Sequence, residues 1–208
     1  MNTVKLAVAG IVIAFAAIVG GLWFASDNAA TRAQPSRVDP YFFLVSNDND
    51  AANAAANVAA KVGFKVDVPN TVPDPRLRLR AVGAQMGPEG DLTPIARRRA
   101  VLDYYESSFD PHASDLLSYK GLRMQVIEFA SQLIPDSRAV RADIAVAGFD
   151  AFAVYDRTSG PTRGTTYFLS SKERSFQVTI WDTSGAIQAI PDLAAAQPFL
   201  QSLAASVK

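Results

Sequence analysis

"RLRLRAV", residues 76–82, alternates arginine with leucine and then turns apolar. A period of two belongs to a strand with one buried face, because successive strand side chains point to opposite sides. Leu77 and Leu79 are therefore expected on a core. Arg76, Arg78 and Arg80 are expected on the other face, about 6.6 Å apart. The same period appears on either side. Upstream, "GFKVDVP" (63–69) sets Phe64, Val66 and Val68 against Lys65 and Asp67, which predicts another strand. "NTVPDP" (70–75) joins the two as a turn, since its prolines exclude a central strand. Downstream, "RRRAVLDYYESS" (97–108) turns Ala100, Leu102 and Tyr104 one way, and "LRMQVIEFA" (122–130) does the same with Leu122, Met124 and Val126.

The remainder completes a sheet flanked by two helices. "DPYFFLVSNDND" (39–50) offers a short first strand, Tyr41 to Val45, ended by a polar turn. "DNDAANAAANVAAKVGF" (48–64) predicts a helix capped by Asp48 or Asp50 and stopped at Gly63. Its large side chains are mainly Val58 and Val62, so it should dock closely on a sheet. "DIAVAGFDAFAVYDR" (143–157) predicts two short strands about Gly148. "GTTYFLSS" and "SFQVTIWD" predict a hairpin turned by "SKER". "PDLAAAQPFLQSLAASV" (191–207) predicts a closing helix capped by Asp192 and broken or restarted at Pro198. Its apolar stripe is Leu193, Phe199, Leu200 and Leu203. One helix, a run of strands and a closing helix give an α+β class with a mostly antiparallel sheet.

Ahead of this body, "LAVAGIVIAFAAIVGGLWFA" (6–25) holds twenty residues without a charge. As a helix it spans roughly 30 Å, the thickness of the hydrocarbon core. It is longer than the apolar part of a secretory signal. Leu6, Ile11, Ile13, Phe15, Ile18, Leu22, Trp23 and Phe24 are the expected anchor, with Trp23 near an interface. The expected layout is a stub and signal anchor at 1–25, a polar tether at 26–40 and an extracytoplasmic domain at 41–208. Lys5 at the near end favours a cytoplasmic N-terminus. Cleavage near Ala25, Ala29 or Ala30 is the alternative.

Composition narrows the chemistry. The chain carries 20 basic and 20 acidic residues, so it has no global field to attract nucleic acid. It has no cysteine, which excludes disulfides and thiolate chemistry. His112, the one histidine, sits in the polar turn "DPHASD", and Asp110, His112 and Asp115 match no metal-binding loop. There is no Gly-rich phosphate loop and no nucleophile elbow. Asp103, Glu106 and Glu128 fall on strands, where paired carboxylates remain open. No cofactor is expected. Arg76, Arg78 and Arg80 are the candidate binding residues, suited to an anionic polymer, a phospholipid headgroup or an envelope protein. The consecutive Arg97, Arg98 and Arg99 form a weaker stripe. Tyr104, Tyr105, Tyr167 and Trp181 either line a groove or pack across strands.

The order of motifs adds a resemblance. An alanine-rich helix runs into "GFKVDVPNTVPDPRLRLRAVG". "AVLDYY", "LRMQVIEF" and "IAVAGFDAFAVYD" follow, then a hairpin and "FLQSLAAS". This resembles a family of bacterial extracytoplasmic domains of unknown function that often follow one membrane span, some in anti-sigma-factor-like or sporulation-related proteins. Phe64, Val66, Pro69, Val146, Gly148, Ala151, Ser202 and Leu203 stand at the pattern positions. The insertion "GPEGDLTPIARRR" (87–99) departs from that pattern, as does the absence of a sigma-binding segment before Lys5. A weaker likeness is to PsbP-like domains. The resemblance implies a membrane-tethered, non-catalytic domain that binds, senses or supports a complex. An envelope hydrolase using His112 and carboxylates, and a structural subunit docking a membrane partner, are the alternatives.

Overall fold

The computed structural model describes residues 42–87, 90–110, 119–135, 137–156, 163–182 and 192–207. All belong to one unit, Pro40–Lys208. The expected anchor, the tether and His112 lie outside the described residues. Among those described, no helix is long and apolar enough to cross a membrane.

Eight antiparallel strands form one open sheet: β1 (Phe42–Leu44), β2 (Leu77–Gln85), β3 (Arg99–Glu106), β4 (Leu122–Phe129), β5 (Val140–Arg141), β6 (Asp150–Asp156), β7 (Arg163–Ser170) and β8 (Ser175–Asp182). Their order is β1-β2-β3-β4-β8-β7-β6-β5. Two four-stranded meanders thus meet at a β4–β8 seam, where Val126 lies opposite Val178. Two helices, α1 (Asp48–Val62) and α2 (Leu193–Ala205), share a single core with one face of the sheet. The strands contribute Leu77, Leu102, Met124, Leu169, Val178 and Ile180 to it; α1 contributes Val58 and Val62, and α2 contributes Phe199, Leu200 and Leu203. The architecture is α+β with an antiparallel sheet, as the alternating segments imply.

α1 begins one residue earlier than its expected cap. Asn47 is the N-cap, its Oδ1 accepting from the Asp50 amide at 3.0 Å. Asp50 works in reverse, accepting from the Ser46 amide at 3.2 Å and from Asn47 Nδ2 at 2.9 Å. The helix stops at Gly63, whose φ of 80° suits a residue without a Cβ. Asn47→Ala should cost about 1 kcal/mol of stability in urea unfolding, and Asn47→Asp should restore it.

Three expectations change. "GFKVDVP" is extended but joins no strand. Its alternation still holds, because Val66 is buried and Phe64 and Val68 pack on the core. Side chains, not a ladder, hold this segment on the core. Pro198 lies inside an unbroken α2. The ring removes one backbone donor but its fixed φ is helical, and the buried stripe of Ala196, Phe199, Leu200 and Leu203 holds the turns on either side. Around Gly148, only β6 forms a full strand. Val146 makes one isolated bridge to Phe149, and the partner of β6 on its outer side is the unexpected β5.

Candidate ligand-binding cleft

The three arginines separate. Arg76 precedes β2 and is held by Asp74: Nε donates to Oδ1 at 3.0 Å and Nη2 to Oδ2 at 2.8 Å. Glu106 Oε1 lies 3.5 Å from its Nη1. The hydrogen-bonded Arg76 guanidinium holds the Asp74 carboxyl below the usual carboxylate range. Arg78 folds onto its own strand, donating from Nη1 to the carbonyls of Pro75 at 2.6 Å and Leu77 at 2.7 Å. Arg80 is the extra residue of a β-bulge. Leu79 pairs with Tyr104 and Ala81 with Asp103, so nothing on β3 opposes it. The bulge breaks the even stripe that strict alternation predicts. Arg80 Nη2 donates to the Ser107 carbonyl at 2.8 Å, while its Nε is buried without a hydrogen-bond partner.

Arg78 and Arg80 both line a cleft of about 710 Å³. Its position follows from the short β1. That strand pairs only with Ala81–Gly83 of β2, and the Val45 amide adds one bond to the Arg80 carbonyl, leaving Leu77 to Leu79 without a neighbouring strand on that side. The start of α1, the segment around Asn70 and the β2 residues Leu77 to Arg80 enclose the space. Its polar edge holds Ser46, Asn47, Asp48 and Asn70 beside the two arginines. Its apolar lining includes Val45, Val68, Val72 and Leu79. Tyr104 also lines it, only 2% exposed, and its hydroxyl has no hydrogen-bond partner. Burial first, and then the Glu128 carboxylate, push that hydroxyl well above the usual tyrosine pKa, so it stays protonated.

The other candidate groups do not converge. Asp103 lies on the sheet face away from the helices, accepts from Gln125 Nε2 at 2.8 Å, and is pushed upward in pKa by burial. Glu128 lies on the core face and pairs with Arg174 at 2.6 Å. Glu106 accepts from the Tyr119 hydroxyl at 2.7 Å. Tyr105 and Trp181 flank Arg123 across neighbouring strands, 4.8 and 5.0 Å from its guanidinium carbon. That is cross-strand packing. Arg98 donates to the Lys61 carbonyl at the end of α1 at 2.8 Å, and Arg99 lies over the Phe129 ring. A second cavity, about 520 Å³, opens between α2 and the β5–β6 connection, with Ile144, Val146 and Phe149 in its largely apolar lining. Among the described residues, no group of His, Asp or Glu has the makings of a metal site.

Of the four aromatic residues that either line a groove or pack across strands, Tyr104 lines the cleft, while Tyr105 and Trp181 pack across strands. Nothing in "LDYYE" shows that the Tyr104 hydroxyl is left without a partner, and nothing in "SNDND" shows that Asn47 caps α1 ahead of the aspartates.

No family model, no curated protein and no solved structure matches the chain.

Proposed function

We propose that this protein is a non-catalytic binding domain, tethered by residues 6–25 to a membrane and facing away from the cytoplasm, that captures an anionic ligand through Arg78 and Arg80. The observation that carries the binding reading is the cleft that both arginines line beside the start of α1. Backbone carbonyls fix the position of each guanidinium, Arg78 on Pro75 and Leu77 and Arg80 on Ser107. Arg76 is excluded, since its own carboxylates already engage it. The tether reading rests on the length and hydropathy of the uncharged run. The alternative of a hydrolase turns on His112, which lies outside the described residues; of the strand carboxylates, Asp103 and Glu128 stand on opposite faces of the sheet.

The test uses the full-length chain in nanodiscs of neutral lipid, with medium-chain carboxylates as probes in ligand-detected NMR. Arg78→Ser with Arg80→Ser is expected to weaken binding by roughly tenfold or more. Unchanged binding overturns the assignment. Protease added to spheroplasts should reach the C-terminal body and leave residues 6–25 protected.

A further inference from the structure

We infer that the cleft takes a small amphiphilic anion: an acidic head at the arginines, an apolar body between α1 and β2, and a hydrogen-bond acceptor at the end that reaches Tyr104. This rests on the binding reading above and narrows it from any anion to a compact organic one.

The volume comes first. About 710 Å³ lies in the size range of small-molecule sites, roughly 300–1,000 Å³. The lining comes second. Val45, Val68, Val72, Leu77 and Leu79 give the interior an apolar wall, which an inorganic anion or a charged polymer leaves unused. The charges then set the direction of the ligand. α1 is fifteen residues long and points its N-terminus at the cleft, but Asp48 stands on that side and offsets the dipole. The acidic head therefore belongs on the β2 side, with Arg78 and Arg80. Tyr104 is the β3 residue that lines the cleft, and the far end of the ligand is set against it. Its ring is held by β3 pairing and by an edge contact with Phe199, centroids 6.5 Å apart. Its hydroxyl is protonated, out of reach of water and without a hydrogen-bond partner. An acceptor arriving with the ligand meets an unsatisfied donor that solvent does not compete for, once the side chains over it give way.

The same head chemistry is shared by carboxylates and phosphate monoesters, so the test carries both. Full-length protein in neutral-lipid nanodiscs is titrated calorimetrically with medium-chain acids, each matched with an acid of the same length that carries a keto group near the end away from its carboxylate. Phosphate monoesters of the matching alcohols and inorganic phosphate complete the set. The keto acid of best-fitting length should bind about tenfold tighter than its plain partner. Tyr104→Phe should cancel that preference and leave the plain acid unchanged, with an unaltered far-UV circular dichroism melt as the control for folding. Inorganic phosphate should not bind. Which organic head binds more tightly, carboxylate or phosphate, identifies the natural class. Equal affinity for keto and plain acids, or a preference that survives Tyr104→Phe, overturns the far-end reading alone. Binding that survives Arg78→Ser with Arg80→Ser overturns the arginine reading beneath it. Failure of every organic probe overturns both.

Discussion

Arg174→Met is expected to lower the unfolding free energy by about 3–5 kcal/mol at pH 8. Glu128 is fully buried on the core face of β4, and Arg174 reaches it from the turn between β7 and β8 at 2.6 Å. The same guanidinium donates to the Lys65 carbonyl and lies over the rings of Phe64 at 4.6 Å and Phe176 at 5.9 Å. One side chain thus neutralises a buried carboxylate and ties the extended segment after α1 to the sheet. Removing it leaves a bare charge in the core and an unanchored backbone. Guanidinium unfolding followed by circular dichroism measures the loss. A smaller loss is expected at pH 5, where Glu128 can protonate. Glu128→Met combined with Arg174→Met should recover most of the stability, because an apolar pair of similar volume avoids both desolvation costs. A loss under about 1 kcal/mol at pH 8 means that the pair does not hold this corner.

The second large effect is a decline in stability as pH rises. Burial outweighs the pull of Arg174 and pushes the Glu128 carboxyl from 4.5 up to about 7. One of its oxygens, Oε1, has no hydrogen-bond partner, which agrees with that direction. The folded state therefore holds the Glu128 proton more tightly than the unfolded chain does. Its contribution is complete below pH 4.5 and is lost as pH rises through 7. Linkage puts the loss at about 3 kcal/mol. Asp103, also raised by burial, acts in the same sense. Asp74, lowered by its hydrogen bonds to Arg76, acts in the opposite sense and weakens the fold only under acid conditions. Unfolding curves collected from pH 4 to 9 should show wild type losing stability across neutrality. Glu128→Gln should flatten that slope. A variant whose slope matches the wild type would falsify the assignment to Glu128.

The alternation in "RLRLRAV" and "LRMQVIEFA" made the strands legible, because each buried residue sits two places from the next. Gly63 marked the end of α1 for an equally local reason. The bulge at Arg80 was not legible. It depends on how β2 meets β3, and a repeating Arg-Leu pattern reads the same with or without an unopposed residue. "GFKVDVP" shows the converse. Its periodicity correctly marked which side chains face inward, yet periodicity does not show whether the backbone reaches a neighbouring edge, and here it joins none although β1 leaves part of β2 unpaired. The cleft was half visible: Arg78 and Arg80 stood out by charge, whereas Tyr104 is 24 residues further on than Arg80 and is brought near only by the β2–β3 pairing. Arg174 had no signal at all in "SKER", because its partners, Glu128 and Lys65, come from distant segments.

An open sheet this wide invites strand addition by a second molecule. The borders leave little to add to. β1 contributes three residues and β5 two. The stretch of β2 that β1 leaves bare is spoiled as a template, since Arg78 already occupies the Leu77 carbonyl and the bulge at Arg80 throws the next residues out of step. The irregularity beside the cleft thus also works against self-templated aggregation.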